Sequence, residues 1–152
     1  MPTKYNHKKF YMKPEHRRSI GKFHSQAGMI VTFKYKEAKK DKRPLVFIMD
    51  TDEFVNKEDK KISGINLNYI PLPFLNKFFI RMLENVGWTF NKYTKLPKVD
   101  LWDEENPGVK PNIIYRKIVK VFLLNKLDCW RSYHYEKMTS VEHVNFNFNV
   151  KP

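Results

Sequence analysis

Between residues 63 and 79 the chain reads "SGINLNYIPLPFLNKFF", and this stretch constrains the fold more than any other. Alternating apolar and polar residues describe a strand over 62–70, with Ile65, Leu67 and Tyr69 on one face and Asn66 and Asn68 on the other. Pro71 and Pro73 stop it. Pro73 suits a first helical turn, where its missing N–H is not needed. Over 74–86, Phe74, Leu75, Phe78, Phe79, Met82, Leu83 and Val86 then repeat as one buried helical face, and Gly87 ends the run. Gly64, inside the strand, predicts a bulge or a close backbone approach. Asn66 and Asn68, beside a turn, read as scaffold that satisfies backbone groups locally rather than as residues that read a partner.

Other strands flank this unit. "GMIVTFKYK", 28–36, alternates with Met29, Val31, Phe33 and Tyr35 on one side. "PLVFIMD", 44–50, is a continuous apolar run, short and β-branched enough for a buried strand rather than a helix. "CWRSYHYEKM", 129–138, and "HVNFNFNV", 143–150, read as two closing strands. Residues 88–110 read as a long irregular segment. Residues 111–127 read as a second helix opened by Pro111, with a long strand as the alternative. The order β-β-β-α-α-β-β predicts an α+β fold: a small antiparallel sheet or partly open barrel of about five strands with two helices. Residues 1–22 form a basic N-terminal arm and 23–152 a single domain, a size sufficient for a real core.

Charge is the strongest functional signal. There are 29 Lys and Arg against 16 Asp and Glu, a net charge of +13, which draws the chain to polyanions. Within the arm, Lys8, Lys9, Lys13, Arg17 and Arg18 alternate with aromatics. That pattern suits a phosphate track with rings for stacking, or equally an arm that docks on a neighbouring subunit. Lys39, Lys40, Lys42 and Arg43 form a second basic segment, and DNA phosphates are expected to meet both it and the arm.

Catalytic signals are weak. No Gly-rich phosphate loop occurs, and the five His do not pair at metal-ligand spacing. Cys129 is the one cysteine, so no internal disulfide or Cys-based zinc site forms within one chain. Cys129 and His134 are an odd number of residues apart on a strand and point to opposite faces, which disfavours a nucleophile pair. Asp50, Asp52 and Glu53, with Asp100, Asp103, Glu104 and Glu105, would hold Mg2+ only if they converged in space. No metal and no cofactor is expected. The basic N-terminus lacks the apolar core of a secretory signal, and no run approaches the roughly 20 apolar residues of a membrane helix. The expectation is a soluble protein made or assembled inside a cell.

Four segments carry a resemblance: Thr32-Phe33-Lys34-Tyr35, Pro44-Leu45-Val46, Gly64-Ile65-Asn66-Leu67-Asn68-Tyr69-Ile70-Pro71 and Cys129-Trp130-Arg131-Ser132-Tyr133. Over roughly residues 28–138 the chain resembles a family of small tailed-bacteriophage virion proteins, many labelled DNA end protectors. Gly64, Asn66, Asn68, Tyr69 and Pro71 are its most specific part, with Asn68 where His is usual. The resemblance implies a non-enzymatic virion or packaging-associated protein. It would be assembled in the host cytoplasm into a larger particle, contacting DNA ends and other virion proteins. The alternative is a structural neck, tail or baseplate component that never touches DNA. A Mg2+-dependent nuclease comes third.

Overall fold

The computed structural model describes residues 3–7, 13–36, 41–51, 60–85, 88–99 and 129–145. Among them are eight strands and one helix: β1 (Arg17–Ser19), β2 (Ile30–Tyr35), β3 (Leu45–Thr51), β4 (Lys61–Asn66), α1 (Leu72–Asn85), β5 (Trp88–Phe90), β6 (Pro97–Val99), β7 (Trp130–His134) and β8 (Met138–Val144). Six strands form an antiparallel sheet in the order β1-β8-β2-β3-β4-β7, and β5 and β6 form a separate hairpin. The fold is α+β with an open sheet. Residues 111–127, read as a second helix, lie outside the described residues, as do 146–150.

The sheet cannot be flat. β7 pairs with β4, β8 pairs with β2, and only the 3-10 turn Tyr135–Lys137 joins them. On a flat sheet β7 and β8 would stand four strand spacings apart, ~19 Å. A three-residue 3-10 turn advances only about 6 Å. The antiparallel pairings also make β7 and β8 run in the same direction, so the two form one bent path that leaves one sheet edge and joins near the other. The sheet therefore curls. Its inner face holds Met29, Val31, Phe33, Val46, Ile48, Ile62, Tyr133, Tyr135, Met138 and Val141. Phe33, Tyr35 and Tyr133 meet edge to face at 5.0–6.1 Å between ring centres. The Tyr35 hydroxyl accepts the His134 N–H across the seam.

The outer face is also apolar. Ile30, Phe47 and Ile65 stand in register across β2, β3 and β4, all buried. Phe78 of α1 meets Phe47 edge to face at 6.0 Å. Burial on both faces explains why β3 reads as an unbroken apolar run. The inward stripe of α1 includes Leu75 and Phe78, both fully buried, but Phe74 is 48% exposed, against the expectation from periodicity. The helix opens two residues earlier than predicted, with Pro73 at its second position.

Three expected elements change. The strand predicted over 62–70 ends at Asn66, because the Asn66 carboxamide accepts the Asn68 N–H and starts a 3-10 turn over Leu67–Tyr69. Asn66 and Asn68 are consequently buried, not on a half-exposed polar face. The segment 88–110, read as irregular, contains the β5–β6 hairpin. The last strand starts at Met138, not residue 143. A bulge hid it: three β8 steps from Thr139 to Glu142 oppose two β2 steps from Lys34 to Thr32, with Ser140 at φ 52°. The resulting two consecutive exposed residues break the alternation.

Candidate nucleic-acid interface

Within the stretch read as an arm, Arg17–Ser19 is the edge strand β1 on β8, and Tyr5 and His7 pack on the 67–70 turn. Lys8, Lys9, Lys39 and Lys40 lie outside the described residues. Lys13, Arg18 and Lys42 are exposed. Arg18 folds its guanidinium back onto the Pro14 and Arg17 carbonyls, at 3.0 and 2.7 Å. Arg17 and Arg43 differ from the expectation of phosphate ligands. Glu142 stands in register with Ser19 on one side and Thr32 on the other. From there its carboxylate pairs with Arg17 Nε at 3.5 Å and with Arg43 Nη2. Both cations spend their charge inside the fold.

The motif Gly64–Pro71 is scaffold. Asn66 Nδ2 donates to Asp41 Oδ2 at 2.7 Å and to the Tyr133 hydroxyl at 3.1 Å. Asn68 Nδ2 donates to the same Asp41 oxygen at 3.4 Å, and Lys4 Nζ lies 3.3 Å from Asp41 Oδ1. The Tyr5 N–H donates to the Asn68 carbonyl. Nε2 of the buried His7 lies 2.9 Å from the Ile70 carbonyl and 3.1 Å from that of Leu67. Burial holds the His7 ring below its ordinary range, against the opposing pull of those carbonyls. Burial likewise pushes the Tyr133 phenol up, opposed by the hydrogen bond from Asn66. Arg131 stacks its guanidinium 5.0 Å from the Tyr69 ring centre. Asn66→Ala removes the partner of the Asn68 N–H and the hydrogen bond to the buried Tyr133 hydroxyl, and leaves Asp41 with Asn68 and Lys4 alone. It is expected to cost about 2–3 kcal/mol in urea unfolding.

Backbone bonds gather lysines from four separate segments at one corner of the sheet. The Lys36 N–H donates to the Lys137 carbonyl, the Tyr135 N–H to the Lys60 carbonyl, and the Tyr35 N–H to the Lys42 carbonyl. Lys61 is in register with His134, and Lys34 with Thr139. Lys34, Lys36, Lys42, Lys60, Lys61 and Lys137 therefore surround the Tyr135–Lys137 turn. Lys60 Nζ lies 5.7 Å from the Tyr135 ring centre. Among the described side chains the exposed acids are Glu15 and Glu136. Little in sequence could reveal this corner, since its lysines come from positions about 100 residues apart.

The β5–β6 hairpin is the second feature hidden from sequence reading. Asn91 builds its turn: its Oδ1 accepts the Tyr93 and Thr94 N–H groups, and its carbonyl accepts the Lys95 N–H. Thr94 anchors the hairpin to β8. Its hydroxyl accepts the Leu96 N–H at 3.3 Å and shares a hydrogen bond with His143 Nδ1 at 2.7 Å. Burial lowers the His143 ring to about 4, with the Pro97 carbonyl opposing and Lys98 reinforcing. The unfolded chain therefore binds a proton near pH 6.5 that the folded chain refuses. Stability is complete above that pH and falls on acidification until about pH 4. Between pH 6.5 and 5 this ring alone is expected to remove about 1.6 kcal/mol. Urea unfolding at the two pH values should show a loss in the parent that is smaller by that amount in His143→Gln, the remainder including the buried His7.

No family model, curated protein or solved structure matches the chain. Among the described residues no group of three or more His, Cys, Asp or Glu could hold a metal ion. Asp50 lies on β3, and the other acids considered for Mg2+ lie outside the described residues. Cys129 is buried and His134 exposed. No described helix is long and apolar enough to cross a membrane.

Proposed function

We propose that this chain is a non-enzymatic component of a tailed-bacteriophage particle that contacts DNA, ends included, through phosphate-directed lysines. The lysine corner around Tyr135–Lys137 carries the reading. Four segments converge there, with Glu136 the one exposed acid among the described side chains of the corner, and such a concentration of cations releases condensed counterions on binding a phosphate backbone. Phosphate contacts position a protein without reading bases, so binding is weakly sequence-specific. The phage setting rests on the resemblance at Gly64–Pro71 and Cys129–Tyr133.

A structural neck, tail or baseplate role is the second reading, favoured by Phe74, Ile80 and Trp130, large apolar side chains left at the surface. Fluorescence anisotropy on blunt linear DNA and on covalently closed circles, across a salt series, separates the two. Salt-sensitive binding with preference for linear DNA supports end contact. Equal binding reduces the role to general polyanion affinity. No binding near physiological salt sinks the DNA reading and leaves the structural one.

A further inference from the structure

The β5–β6 hairpin presents an unusual surface. Phe90 is 72% exposed and Tyr93 59% exposed, two rings within four residues. Lys92 and Lys95 beside them are also exposed, and Lys98 follows on β6. No acid occurs from Trp88 to Val99. Lys92 Nζ lies 5.0 Å from the Tyr93 ring centre, so a cation already sits at an aromatic face. Lys95 stands at φ 61°, a left-handed conformation that glycine would adopt without strain. The turn therefore keeps a cationic side chain where its backbone favours none.

The hairpin is held firmly from behind. Thr94 bonds His143, and Asn91 Nδ2 lies 3.7 Å from the Met29 sulfur. Lys98 Nζ donates to Gln26 Oε1 at 3.0 Å, and His24 meets the Tyr93 ring edge on at 5.0 Å. Exposed rings on an anchored ribbon, flanked by lysines, match what unpaired nucleotides need. Bases stack on the aromatics while the ammonium groups meet the phosphates. A closed duplex hides its base faces and offers only phosphates to such a ribbon.

We infer that the β5–β6 hairpin binds single-stranded nucleic acid, such as the unpaired nucleotides of a frayed or overhanging DNA end, by stacking on Phe90 and Tyr93. The inference rests on the DNA-contact reading and adds a substrate class to it. Its test is anisotropy with a fluorescein-labelled twenty-nucleotide oligothymidine against a covalently closed circular duplex, which has neither ends nor loops. Phe90→Ala and Tyr93→Ala are each expected to weaken oligothymidine binding about tenfold while leaving the duplex within about twofold. Tyr93→Phe should retain oligothymidine binding, since stacking needs the ring and not the hydroxyl. Unchanged thermal melts would confirm that these surface variants fold. Duplex binding with oligothymidine affinity unmoved by both alanines overturns the hairpin inference and leaves the phosphate reading standing. Absence of binding to either probe overturns both. Failure of the alanine variants to assemble into particles, with oligothymidine affinity intact, would assign the hairpin to a protein partner and also overturn it.

Discussion

Gly64→Ala is expected to lower the melting temperature by about 10 °C. A Cβ built at Gly64 falls 2.0 Å from the Phe47 carbonyl oxygen and 3.1 Å from Ile48 Cα. Both are backbone atoms of β3, the central neighbour of β4, where Gly64 is in register with Ile48 beside a break in the pairing. A side chain could rotate away, but this backbone cannot move without shifting Phe47, which packs on α1, and Ile48, which packs inside the curl. Overpacking of a rigid site costs up to about 3 kcal/mol, the end of the range that fits a backbone clash this close. At roughly 2–4 °C per kcal/mol for a chain of this size, the shift follows. Gly21→Ala is the control. Its Cβ would meet the His24 ring at 2.9 Å, an exposed side chain that can turn aside. Circular-dichroism melts should show a small change there and a large one at Gly64. A Gly64→Ala melt within ~2 °C of the parent would mean that β3 yields, contrary to the packing argument.

The same residue shows why parts of the fold were legible. Gly64 interrupts a strand pattern, and glycine in a strand interior has few physical reasons to be there, close backbone approach being one. The β3 run was legible for a related reason, since unbroken apolar sequence needs burial on both faces. The last strand was misplaced because one bulged residue, Ser140, shifts the alternation that locates a strand. The hairpin was missed because its arms are three residues each, too short for period-two alternation to register. Charge was legible in total but not in placement. Arg17 and Arg43 look as available as any lysine in sequence, yet Glu142, 99 residues beyond Arg43, occupies both. The lysine corner depends on the bent path from β7 to β8, which no local pattern encodes.

That distinction between total charge and placed charge yields the largest expected effect on binding. Neutralising Lys34, Lys36, Lys60 and Lys61 together to Gln removes four cations from the corner and keeps most of each side-chain stem. Each phosphate contact contributes about 0.9 to the slope of log K against log salt, so the slope should become shallower by up to ~3.6. Over a fourfold rise in salt, the parent should then lose affinity about a hundredfold more steeply than the variant. Arg43→Gln carries the contrasting expectation. Its charge already faces Glu142, so the variant should disturb stability and leave the salt slope unchanged within about 0.3, a third of one contact. Anisotropy on linear duplex from 50 to 200 mM salt, a range of about fourfold, measures both. A quadruple variant with the parental slope would move the phosphate contacts away from the corner, to the cations of the N-terminal segment. A shallower slope in Arg43→Gln would mean that Glu142 releases its arginine to DNA, and that the ion pair is a resting contact exchanged on binding.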